Sequence, residues 1–147
     1  MKKYLILAAS AALFITWAGF SSAQSDAPYT EGPVWRVSMI KTKTGMTDDY
    51  LKGLARTLKG EMEEFKKQNI ILDYKIMIGE AATPQDYDIL IMVESKDMAS
   101  LDNLREKTDP IAAKIVGNLD QQRTLATKRL DIREIMGSKL MREITLK

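Results

Sequence analysis

Two residue types are missing altogether: the 147-residue chain has no cysteine and no histidine. Without cysteine there is no disulfide framework, no thiolate nucleophile and no attachment point for a lipid of the bacterial lipoprotein kind. Without histidine the commonest metal ligand and the usual general base near neutral pH are both gone. That absence disfavours metal-dependent hydrolysis, Ser-His-Asp catalysis and histidine-ligated haem together. No metal and no cofactor are expected. Asp48, Asp49 and the run Glu61, Met62, Glu63, Glu64 offer carboxylates, but helix capping and a solvated helix face account for them more cheaply than a cation site.

An excess of one charge is missing as well. The chain carries 22 basic and 20 acidic residues, and two of the bases, Lys2 and Lys3, belong to an amino-terminal leader. The remainder is balanced, which argues against binding a nucleic-acid backbone. The leader reads "MKKYLILAASAALFITWAGFSSAQS": two lysines, an apolar stretch over residues 4–20, then Ser21, Ser22 and Ala23. Small residues behind a short apolar run are what a signal peptidase reads, so residues 1–23 are expected to be a signal peptide cleaved after Ala23. The mature protein is expected to be periplasmic or secreted, with no membrane attachment. The 124 residues that remain suffice for one domain with its own core.

Residues 24–33, "QSDAPYTEGP", hold turn formers and little apolar content, and are expected to be a flexible leader to a domain over 34–147. In residues 34–43 Trp35, Val37 and Met39 alternate with Arg36, Ser38 and Ile40, the two-residue period of a strand. Gly45 then turns the chain, Thr47 can cap a helix, and Leu51, Leu54, Ala55, Leu58, Met62 and Phe65 form one apolar stripe to about Lys67. Asn69 closes that helix. Residues 70–79 resume period two, with Tyr74, Ile76 and Ile78 opposite Asp73, Lys75 and Met77. After a turn, residues 87–94 repeat it, with Ile89, Ile91 and Val93 opposite Asp88, Leu90, Met92 and Glu94. Ser95 or Asp97 can cap a second helix carrying Met98, Leu101 and Leu104, and Asp109-Pro110 reads as a break and a fresh helical start. Residues 120–138 give no firm period; residues 139–146 alternate and supply a fourth strand.

Strand, helix, strand, strand, helices, strand is the split βαβ order of an α+β, ferredoxin-like sandwich, one four-stranded antiparallel sheet with helices on one face. In "VSMIKTKTGMTDDYLK", "DYDILIMVES" and "REITLK" the chain resembles the dimeric α/β-barrel superfamily, in which two ferredoxin-like subunits close their sheets into a shared barrel. The resemblance covers residues 34–147 and is one of fold. It implies a homodimer with a barrel cavity. That superfamily spans monooxygenases, isomerases, haem-handling enzymes and members of unknown function, so it implies no reaction.

The helix-free face of the sheet is the candidate site. Alternation assigns to it Arg36, Ser38, Asp73, Lys75, Asp88 and Met92, with Ile40, Met77, Leu90, Glu94 and Met141 nearby. The basic side chains would meet an anionic or oxygen-bearing small molecule and the methionines would wall it. Ordinary cross-strand ion pairing explains the same charges without a ligand. Trp35 and Tyr74 are expected in the helix-facing core. Three functions fit this reading: a non-catalytic barrel dimer that binds a small, partly apolar molecule, a cofactor-independent monooxygenase-like oxidoreductase or isomerase, and a protein-interaction module.

Overall fold

The first strand, β1 (Tyr29–Thr42), runs 14 residues and is flanked on both sides, which makes it the axis of the molecule. The computed structural model describes residues 26–147, and the expected signal peptide lies outside them. The other elements follow as α1 (Thr47–Arg56), α2 (Leu58–Lys67), β2 (Asp73–Ile78), β3 (Ile89–Ser95), α3 (Leu104–Ile115), α4 (Leu119–Leu130) and β4 (Arg133–Leu146). The strands form one antiparallel sheet in the order β2-β3-β1-β4. This is the ferredoxin-like topology expected from the sequence. The sheet is open, with β2 and β4 as its edges, so a barrel requires a second chain.

The helices lie on one face. Ile40 and Ile89 pack against Tyr50 and Leu54 of α1, with Ile91 beside them. A second cluster joins Met62 and Phe65 of α2 to Ile111 of α3, over Tyr74 and Val93 of the sheet. The expected facing of β2 and β3 therefore holds: Ile89, Ile91, Val93 and Tyr74 point to the helices.

The facing of β1 is the reverse of expectation. Ile40 lies opposite Ile89, Ser38 opposite Ile91 and Arg36 opposite Val93, and directly paired residues share a face. Arg36, Ser38 and Ile40 are thus on the helix side, and Trp35, Val37 and Met39 on the uncovered side. A central strand with apolar residues on both faces carries no parity signal of its own, and the three larger hydrophobes marked the wrong side as core.

The strand also begins earlier than expected. Tyr29, Thr30 and Glu31 pair with Leu146, Thr145 and Ile144, so residues 29–33 of the expected leader belong to the sheet, past an irregularity before Val34. The Arg142 guanidinium donates to Glu31 at 2.7 Å across this extension. β4 likewise starts at Arg133 rather than 139, its register shifted where Met39 faces Gly137 and Ile40 faces Ile135; the extra residue, Met136, blurs the alternation.

The helices depart from expectation at three points. The stripe over residues 47–67 is two helices, broken at Thr57, whose hydroxyl donates to the Gly53 carbonyl four residues back. The expected stop at Asn69 is present: its φ is +56°, and N–H bonds from Asn69 to Lys66 O and from Ile70 to Phe65 O close α2 as a Schellman motif. Pro110 does not break α3, which starts after left-handed Asn103 and runs through the proline, held by Ile111 against α2. Asp97 caps only a 3-10 turn, Ala99–Leu101, through bonds from Ser100. Of residues 120–138, which give no firm period in the sequence, 120–130 belong to α4, opened by a capping box between Asn118 and Gln121, and 133–138 begin β4.

Candidate functional site

Registers from all four strands build the helix-free face as three rows. The first row runs Asp73, Glu94, Trp35, Met141; the second Lys75, Met92, Val37, Lys139; the third Met77, Leu90, Met39, Gly137. The third row contains no polar side chain, and Met39 lies against Gly137, its Cε only 3.1 Å from where a β-carbon would stand. Met77 and Met141 are 54% and 51% exposed. Four methionines, a leucine and a tryptophan, gathered around the buried Val37, thus lie on a sheet face that no helix of the described chain covers.

The polar groups gather at one end and in the middle. The Lys75 ammonium sits 5.1 Å from the centre of the Trp35 ring, a cation–π contact. The indole N–H of Trp35 donates to Glu143 Oε2 at 2.9 Å. Glu94, between Asp73 and Trp35, has its carboxyl pushed up by burial and then by the charges of Glu143 and Asp73, with Lys75 opposing. A carboxyl raised on folding holds more protons in the native than in the unfolded chain, so its stabilising effect is complete below the ordinary value of 4.5 and is lost as pH rises through the folded value. Glu94→Gln is therefore expected to raise the melting temperature at pH 7 by about 1–3 °C and to leave it unchanged near pH 4, measured by calorimetry across pH.

Of the six residues assigned to this face from the sequence, the structure brings three together: Asp73, Lys75 and Met92. Asp73 is also tied to the helix layer, accepting from Lys66 Nζ at 2.7 Å, a bond that lowers its carboxyl below the ordinary range. Arg36 and Ser38 are elsewhere, on the helix side. Arg36 borders a groove with Glu61, Met62 and Phe65, and the Ser38 hydroxyl meets that of Ser138 at 3.3 Å.

Asp88 lies just before β3 and braces the far end of β1. Its Oδ1 accepts from the Thr42 backbone N–H at 3.0 Å, its Oδ2 accepts from the Thr42 hydroxyl, and that hydroxyl also meets Thr47 at the start of α1, at 2.8 Å. The carboxylate thus fastens the strand end to the helix start. Asp88→Ala leaves the buried Thr42 N–H without an acceptor and is expected to cost about 2–3 kcal/mol in urea denaturation.

Trp35, Val37, Met39, Lys139 and Glu143 are the members of this face that alternation did not place there. The pairing of Trp35 with Glu143 exists only through the β1–β4 register, and no local pattern discloses it.

No protein-family model matches the chain, and no curated protein matches it. Among solved structures, HapK from Hahella chejuensis superposes with a TM-score of 0.49 at 10% identity, over 75% of this chain and 91% of that one. A dimeric ferredoxin-like protein from an uncultured marine organism gives 0.45 at 11%, over 80% and 90%. A dimeric protein of unknown function and ferredoxin-like fold from Bacteroides fragilis gives 0.40 at 10%, over 81% and 100%. With identities of 10–11% and every TM-score below 0.5, these likenesses assign no residue a role. The strand order β2-β3-β1-β4 gives this chain the ferredoxin-like fold on its own.

Proposed function

We propose that the protein is an exported homodimer whose two uncovered sheet faces close on each other, and that the space between them holds a small, partly apolar molecule. The observation that carries this reading is the polar-free row Met77, Leu90, Met39, Gly137, continued by Met92, Val37 and Met141 on the uncovered face. An apolar sheet face is stable in water only when something covers it, and a twofold pairing lets one patch serve both sides. Charge supports a second copy as the cover. The lysines of the middle row, Lys75 and Lys139, stand one row from Asp73, Glu94 and Glu143, so a twofold rotation can bring opposite signs together. Methionine suits a cavity wall that must adapt to a guest, and the two lysines flanking Met92 and Val37 suit an oxygen-bearing group on it. The leader over residues 1–23 supports export.

Sedimentation equilibrium of the purified protein at micromolar concentration tests the assembly, and native mass spectrometry of the dimer tests for a retained guest. A monomer at tens of micromolar, in the range of weak association, would overturn the reading.

A further inference from the structure

The opposite side of the sheet holds a concavity of about 390 Å³, bounded by α1 and α2 on one flank and by α4 and the start of β4 on the other. Its walls are largely apolar, with Leu54, Leu58, Ile91 and Leu125 among them. Three arginines line it: Arg123 stands exposed at the rim, while Arg129 on α4 and Arg133 at the first position of β4 are partly buried.

Each of the two partly buried arginines uses one nitrogen to hold itself in the fold. Arg129 Nη1 donates to the Thr57 hydroxyl at 3.0 Å, at the break between α1 and α2. Arg133 Nη1 donates to the Tyr50 hydroxyl at 3.2 Å, and its guanidinium lies 5.3 Å from the centre of the Tyr50 ring. In both, the Nε–H is buried and meets no acceptor. Among the described residues neither arginine takes part in an ion pair within 4 Å. Glu61 is the single acid lining the cleft; it feels the charge of Arg129 from beyond ion-pair distance, and burial raises its carboxyl above the ordinary value. Burial, followed by the charge of Arg133, in turn lowers the proton affinity of Arg129.

Buried N–H donors on charged groups are costly when unmatched, and two guanidinium groups close together with no carboxylate within ion-pair distance add repulsion to that cost. An anion seated against the remaining N–H groups of the two guanidiniums offsets their repulsion. Tyr50, fully buried, accepts from Arg133 through its hydroxyl and so fixes that guanidinium at the cleft wall. The volume is in the range of small-molecule sites, and the apolar walls call for a ligand with a hydrocarbon body behind its charge.

We infer that this cleft binds a small organic carboxylate, its head held by the guanidinium groups of Arg129 and Arg133 and its apolar body against Leu54, Leu58, Ile91 and Leu125. The site is separate from the sheet face of the dimer and lies on the other side of the sheet.

Titration calorimetry with octanoate, octanol and inorganic phosphate tests it. Octanoate is expected to bind saturably, octanol at least about tenfold more weakly for want of the charge, and phosphate more weakly for want of the tail. Arg129→Gln and Arg133→Gln each weaken octanoate binding about tenfold or more, while Arg105→Gln, exposed on α3 and outside the cleft, changes it by less than about threefold. Arg129→Met, which replaces an unmatched charge with an apolar chain, is expected to raise the melting temperature of the ligand-free protein while abolishing its stabilisation by octanoate, so loss of binding is separated from loss of fold. The inference fails if octanoate shows no saturable binding, if octanol binds as tightly, or if the folded Arg129→Gln/Arg133→Gln double variant still binds octanoate.

Discussion

Met77→Asp, and separately Met141→Asp, is expected to yield a folded monomer where the parent protein sediments as the proposed dimer. Both side chains are half exposed in the single chain, so a carboxylate at either position is hydrated there and costs the protomer little. In the closed dimer the same carboxylate faces a methionine-lined sheet from the second copy. Burying an uncompensated charge costs about 3–5 kcal/mol, enough to weaken association by roughly 10²–10³-fold or more. Twofold symmetry introduces that charge twice. Ile78→Asp is the control, since Ile78 is on the same strand as Met77, is 63% exposed, and points to the other side of the sheet. It is expected to leave the dimer intact. Equal dissociation by Ile78→Asp would show that the association runs through the edge of β2 rather than through the sheet face. Sedimentation velocity at several loading concentrations separates these outcomes.

The alternation that led to the site worked where one side of a strand is plainly oil. In β3, Ile89, Ile91 and Val93 face Leu90, Met92 and Glu94, and β-branched side chains on one parity signal the side that packs under helices. In β2, Asp73 and Lys75 mark the other parity. Strand β1 defeated the same reasoning because it is central in its sheet and has a use for apolar residues on both sides: Ile40 against α1, and Trp35, Val37 and Met39 toward the uncovered face. Its polar residues, Arg36 and Ser38, lie on the helix side, where Ser38 finds Ser138 and Arg36 reaches a groove edge. Neither arrangement can be inferred from β1 alone, since both depend on which residues of β3 and β4 stand alongside. The arginine-lined cleft was hidden for a related reason. Arg129 and Arg133 fall in a stretch with sparse hydrophobes, and their common cavity arises only when α4 lies down beside α1 and α2. The break at Thr57, which supplies the hydroxyl that holds Arg129, leaves the apolar stripe uninterrupted and so is invisible to periodicity.

Ile89→Ala is expected to destabilise the protomer by about 2–5 kcal/mol, the range for removing a large aliphatic side chain from a packed interior. Ile89 is fully buried, as is its neighbour Ile40 across the β1–β3 pairing, and both meet Tyr50 and Leu54. These four side chains join the central strands to α1, so the space left by the isoleucine has rigid walls: two hydrogen-bonded strands below and a helix whose Tyr50 is held by Arg133 above. Little collapse is available there, which places the cost toward the upper part of the range. A melting temperature lower by about 10 °C or more follows for a domain of this size. The same cavity loosens Tyr50 and with it the Arg133 guanidinium, so any octanoate bound on the helix side should weaken along with stability, while the sheet-face dimer persists for as long as the protomer stays folded. Loss of the dimer in the variant, at a temperature where circular dichroism still reports native secondary structure, would mean that the two faces of the sheet are coupled through β1 and β3 rather than independent.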